Sequence, residues 1–129
     1  MTTFRDRLMA KGCNYEPNAR SSLDEWFSSI VDVQLDELDV GDIARAIRQD
    51  LFLGDVLPIA EAILQGDPLA GDDYDGQLIS SIASLSHNEA KSVLPYLKKI
   101  SLLLNQLDKS DFDEQLLLDI KKIDKLTAC

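Results

Sequence analysis

Apolar residues recur along most of this chain at helical rather than strand intervals. Leu23, Trp26, Phe27 and Ile30 share one helical face, and Ser22 followed by Glu25 has capping-box spacing, which predicts a helix over about 22–31. Val40, Ile43, Ala44 and Ile47 form a second stripe behind Asp39, a suitable N-cap. Asp42 near its start and Arg45 and Arg48 near its end complement the helix dipole. Gly54-Asp55 breaks the pattern, and Val56, Leu57, Ala60, Ile63 and Leu64 restart it. Pro58 is tolerable in the first turn after Asp55, and Gly66 is placed to stop that helix. Residues 67–76 read DPLAGDDYDG, with Gly and Asp at turn positions and no periodicity, so they predict a loop.

Helical spacing resumes at Leu78, Ile79, Ile82 and Leu85, is punctuated by Ser86-His87-Asn88, and continues from Glu89 to Leu107. Pro95 lies inside that long stretch and should kink it or reset its start. A last helix is expected over about 111–126, carrying Phe112, Leu116, Ile120, Ile123 and Leu126. Val31, Val33 and Leu35 alternate with polar residues too briefly to make a strand. The expectation is an all-α fold, a compact bundle of about five to six short helices. It forms a single domain over residues 1–129, with residues 1–20 either a polar tail or a short first helix.

Composition agrees with a globular chain: 129 residues, 45% of them apolar, suffice for one core without disulfides or metals. Charge changes the picture more. Acidic residues number 23 against 13 basic ones, a net charge of -10. A positive footprint for nucleic acid or an anionic membrane is therefore lacking, and basic macromolecules are the natural partners. The imbalance is local. Residues 1–31 are net neutral and residues 90–129 carry +1, while residues 32–89 hold 13 acidic and two basic side chains, a net of -11. Such a segment serves either solubility or complementarity to a basic protein surface.

Candidate chemistry is sparse. A single histidine, His87, excludes a multi-histidine metal site. Cys13 and Cys129, near opposite ends of the chain, have neither CxxC spacing nor a neighbouring histidine; two unpaired thiols are expected, with a bridge between the termini as the alternative. Phosphate-binding and zinc-protease motifs are absent. Asp72, Asp73 and Asp75 faintly suggest a calcium loop, but Gly71 and Gly76 are misplaced for one and Ile82 stands where the closing Glu belongs. No metal, no cofactor and no catalytic residue is assigned. The opening residues lack the apolar core of a signal peptide and no run approaches a membrane span, so a cytoplasmic location is expected.

Three blocks of the chain resemble an immunity-protein family of bacterial contact-dependent growth inhibition (CDI) systems. Leu35, Glu37, Leu38, Asp42 and Ile43 match the first block. Gln49, Leu53, Val56, Leu57, Pro58, Ile59 and Ala60 match the second. Asp67, Pro68, Leu69, Gly71, Tyr74, Gly76 and Leu78 match a closing loop, in which Gln77 stands where the family pattern carries an acidic residue. The resemblance implies a small cytoplasmic protein that is not an enzyme and neutralises the C-terminal toxin domain delivered by a neighbouring cell. Many such toxins are nucleases, whose polyanion-binding clefts are basic, so the resemblance and the -11 segment agree. The expected partner-binding residues are Asp39, Asp42, Asp55, Asp72, Asp73 and Asp75, with Tyr74 as an aromatic anchor. An acidic helical adaptor for some other basic protein is the alternative, and a carboxylate-dependent enzyme a further one. Monomer and dimer are equally compatible with the sequence.

Overall fold

A computed structural model describes residues 2–13 and 21–128, and all the secondary structure it assigns beyond one isolated β-bridge is helical. Eight α-helices and one 3-10 turn are present among the described residues: α1 (Phe4–Ala10), α2 (Ser22–Ile30), a 3-10 turn (Leu35–Glu37), α3 (Val40–Arg48), α4 (Leu53–Gly66), α5 (Gln77–Ala83), α6 (His87–Ser92), α7 (Leu94–Asn105) and α8 (Glu114–Thr127). The all-α expectation holds, but the count of five to six helices is corrected to eight. One addition is α1, within a segment that read equally as tail or helix. It is held by a capping box in which Thr3 Oγ1 accepts from Asp6 N at 3.1 Å and Thr3 N donates to Asp6 Oδ2 at 3.0 Å.

The other addition comes from Pro95. Rather than bending one long helix, it sits in the first turn of α7, where its missing N–H costs no hydrogen bond. Val93 (φ -125°, ψ 22°) is the joint between α6 and α7, and α6 opens on its own capping box between Ser86 and Glu89. Two helix starts also move. The cap of α2 is Ser21, whose Oγ accepts from Asp24 N at 3.2 Å, one residue before the expected Ser22. Helix α4 begins at Leu53 after Phe52 in the left-handed region (φ 45°), which places Pro58 inside the helix rather than in a first turn after Asp55.

The chain divides into two compact units, residues 1–38 and 39–129. In the first, the backbone of the residues before α1 and at its start bonds the segment after α2. Arg5 N donates to Val31 O at 3.1 Å and Leu35 N to Thr2 O at 2.9 Å, with an isolated bridge between Thr3 and Gln34. Phe4 is fully buried and its ring lies 5.6 Å from that of Phe27, tilted by 43°. A bidentate pair from Arg5 to Asp32, at 2.6 and 3.2 Å, closes the same unit.

In the second unit α5 is central. It packs against α3 and α8, while α7 packs against α4 and α8 and α3 against α4. Six of the seven residues of α5 are buried, including the polar Gln77 and Ser81. Ile43, Ile47, Leu57, Leu64, Leu78, Ile79, Ile82, Leu97, Ile100, Leu104 and Ile123 are fully enclosed, so the stripes read from the sequence do form the core.

Candidate functional site

The 67–76 loop of the second unit is cross-braced by backbone and side-chain bonds. Its entry and exit are joined by backbone bonds from Gly76 N to Leu69 O (2.9 Å) and Leu78 N to Ala70 O (3.1 Å). Gln77 fills the interior. Its Oε1 accepts from Asp72 N at 2.8 Å and Asp73 N at 3.2 Å, and its Nε2 donates to Asp73 Oδ2 at 3.1 Å. A carboxylate at this position would accept the same two N–H groups but would face Asp73 with no donor. The glutamine is thus what lets an acidic loop fold back on itself.

Gly71 is required by crowding. A Cβ there would lie 2.0 Å from Tyr74 O and 2.7 Å from Gln77 Cβ. Gly76 has φ +84°, and a Cβ on it would approach Leu116 Cδ1 of α8 to 2.9 Å, so this residue both turns the chain into α5 and lets α8 come close.

The seven residues expected to bind a partner separate into different roles. Asp72 Oδ2 accepts from Gly41 N at 2.8 Å, which makes Asp72 a remote cap on the first turn of α3. Asp39, in the N-cap position, makes no side-chain capping bond and is exposed. Asp73 is engaged by Gln77. Tyr74 is 47% exposed, and its hydroxyl accepts from Arg48 Nη2 at 2.7 Å and donates to Ser80 Oγ at 3.3 Å. Arg48 also donates from Nε to Ser81 Oγ at 3.0 Å. Asp42 and Asp55 are half-buried, in the first turns of α3 and α4. Asp75 is exposed, and no cation pairs with it among the described residues.

Asp75 borders a cleft of about 240 Å³ between the start of α5 and the start of α8. Tyr74 and Ser80 line the same wall; Asp113, Leu116 and Asp119 line the other. The α8 carboxylates were not among the residues singled out from sequence. Asp113 Oδ1 caps α8 by accepting from Leu116 N at 2.8 Å. Asp119 is only 5% exposed, and Gln115 Nε2 donates to its Oδ1 at 3.2 Å. The signal for Asp119 was available: it interrupts an apolar face otherwise made of Leu116, Ile120 and Ile123.

Elsewhere, burial and the charge of Glu89 raise the carboxyl of Asp50 above its ordinary range, whereas the Arg5 guanidinium holds Asp32 below it. Among the described residues, no group of three or more His, Cys, Asp and Glu is placed to hold a metal ion. None of the described helices is long and apolar enough to cross a membrane. Cys13 is an exposed free thiol, and Cys129 lies outside the described residues.

Described elements that are all helical, a cross-braced acidic loop, and exposed Asp39 and Asp75 with no ion pair among the described residues are features of a protein-binding module. A family model described as CDI immunity proteins matches residues 9–100, and the chain belongs to that family. It is a non-catalytic binding protein whose partner is a cognate CDI toxin. No curated protein matches the chain.

Proposed function

We propose that this protein acts in the cytoplasm, where it binds the C-terminal domain of its cognate toxin and neutralises it by meeting basic groups of that domain, a nuclease, with an acidic surface. The observation that carries this reading is the set of exposed carboxylates in the acidic segment. Of the carboxylates in residues 32–89, Asp72 and Asp73 accept hydrogen bonds from neutral N–H groups that brace the loop yet keep their charges and are exposed, and Asp39 and Asp75 are exposed with no cationic partner among the described residues. Arg48, one of the two basic residues in this segment, is bonded to a tyrosine and a serine instead of a carboxylate. Net negative charge therefore remains at the surface, where it steers a cationic partner and sets the encounter rate.

A nuclease must hold a polyanion, so its binding cleft supplies the complementary field. Inhibition follows if the acidic surface covers that cleft or blocks the path to it. Two measurements test the proposal. Co-expression with the cognate toxin domain should protect cells, and association of the purified pair should slow about tenfold between roughly 50 mM and 500 mM salt. An on-rate indifferent to salt, or docking through a neutral or basic face, would remove the acidic-surface mechanism.

A further inference from the structure

The cleft between α5 and α8 gathers three carboxylates whose hydrogen-bonding capacity the folded chain fills only in part. Asp119 has one polar contact, a 3.2 Å bond from a neutral amide, although it is 5% exposed. Its other oxygen, Oδ2, has no hydrogen-bond partner among the described residues, and it is not sealed from solvent. An ionised carboxylate accepts about four hydrogen bonds and is costly to bury without a cation. Asp75 and Asp113 face the same space, and the lining contains no Lys or Arg; Arg48, which bonds the Tyr74 hydroxyl from outside the lining, is one positive charge against three negative ones. The field inside therefore favours a cation.

The size and chemistry of the space narrow the choice of cation. At about 240 Å³ the cleft falls below the roughly 300–1,000 Å³ of small-molecule sites, yet it exceeds what a water or two would fill at about 30 Å³ each. It has the scale of one long side chain. The carboxylates are not grouped closely enough to ligate a metal ion. Ser80 Oγ and the separate carboxylates present acceptors in several directions, and Tyr74 and Leu116 add aromatic and apolar surface. A guanidinium matches this pattern: it has five donors in a planar fork, is weakly hydrated and stacks on aromatic rings.

We propose that this cleft receives the guanidinium of an arginine side chain from the toxin domain, with Asp119 as its buried counter-charge and Asp75 and Asp113 at the rim. The proposal rests on the toxin-binding reading and goes further by naming the socket and the chemistry it accepts. The bound arginine supplies the partner that the second oxygen of Asp119 lacks in the free protein.

The test uses the full chain, the purified toxin domain and two capped tripeptides, acetyl-Gly-Arg-Gly-amide and its lysine counterpart. Asp119→Asn keeps an acceptor for Gln115 and should melt no lower than the wild type. It should nevertheless weaken toxin binding by roughly thirtyfold or more, mainly through faster dissociation. A D75N/D113N double variant retains the α8 cap, because asparagine caps as well as aspartate, and should weaken binding mainly through slower association. In amide NMR spectra the arginine peptide should shift Gly76 and Leu116 in the wild type but not in D119N, and the lysine peptide should do so more weakly. Wild-type toxin affinity in both D119N and D75N/D113N overturns the proposal, as does a lysine peptide that seats as well as the arginine one. If the arginine peptide seats while the wild type fails to bind the toxin domain, the toxin-binding reading falls and the cleft's preference for guanidinium stands.

Discussion

Removing the Asp72 side chain separates bracing from binding most cleanly. Helix α3 begins with orphan N–H groups, and Asp39 in the N-cap position does not bond any of them through its side chain. Asp72, 31 residues further on, supplies the acceptor through its 2.8 Å bond from Gly41 N. A capping bond is worth about 1 kcal/mol, and a carboxylate at a helix N-terminus adds roughly 0.3–1 kcal/mol through the dipole. Asp72→Ala should therefore cost about 1.5 kcal/mol. With a urea slope of about 2 kcal/mol per molar, the unfolding midpoint should fall by about 0.75 M. Asp72→Asn keeps an acceptor and loses the charge, so it should cost only about 0.5 kcal/mol. Asp39→Ala should stay within about 0.5 kcal/mol of the wild type, as an exposed side chain with no bond to lose. Urea denaturation followed by helical circular dichroism reads all three variants. Equal midpoints for D72A and the wild type, or a larger loss for D39A than for D72A, would refute the remote cap.

Gly71→Ala places a Cβ against the Tyr74 carbonyl and should cost about 3 kcal/mol by thermal or urea unfolding, with D72A-like loosening of α3 seen by hydrogen exchange. Asp50, whose carboxyl is raised first by burial and then by Glu89, is a liability once ionised; its contribution to stability is present in acid and lost as pH rises through the raised value. Asp50→Asn should accordingly raise the melting temperature at pH 7, with the gain vanishing below the ordinary carboxylate range, and asparagine tolerates the positive φ of 54° at that position. Asp32 runs the opposite way: lowered by its hydrogen bond from Arg5, its contribution is present above the ordinary range and lost as pH falls through the lowered value. In Arg5→Ala the Asp32 carboxyl resonance should titrate back at the ordinary carboxylate position.

Helix stripes were legible because burial selects them directly. Ile43 and Ile47, Leu57 and Leu64, Leu97, Ile100 and Leu104 sit in the core at the intervals the pattern predicts. Helix ends were less legible, because they are decided by partners distant in sequence or by backbone states that composition does not announce. The start of α4 depends on Phe52 adopting a left-handed conformation that an aromatic residue seldom takes. The split between α6 and α7 depends on Pro95 and the Ser86–Glu89 box acting together, and each alone is compatible with one kinked helix. A segment of seven helical residues, α1, is too short for periodicity to separate from a tail.

The candidate site shows the same division between local and distant causes. Charge counting located the acidic segment, but it does not say which carboxylates the fold also uses as hydrogen-bond acceptors. Asp72 and Asp73 stand two and one positions from Tyr74, and their side chains bond to Gly41 and Gln77, whereas Asp75, on the other side of the same tyrosine, borders the cleft. What distinguishes them is whether an N–H donor lies in reach, and for Asp72 that donor comes from a helix start 31 residues earlier. Asp119 presents the converse case. It lies outside the acidic segment, in a stretch whose net charge is slightly positive, and enters the cleft because Gly76 lets α8 approach closely. Asp119 makes a single amide contact in the free fold, and a cation arriving from outside would supply the partner its second oxygen lacks. For an immunity protein that cation belongs to the toxin. The residues that stabilise the acidic loop and the residues that recognise the partner should therefore be separable by mutation, even where they are adjacent in the chain.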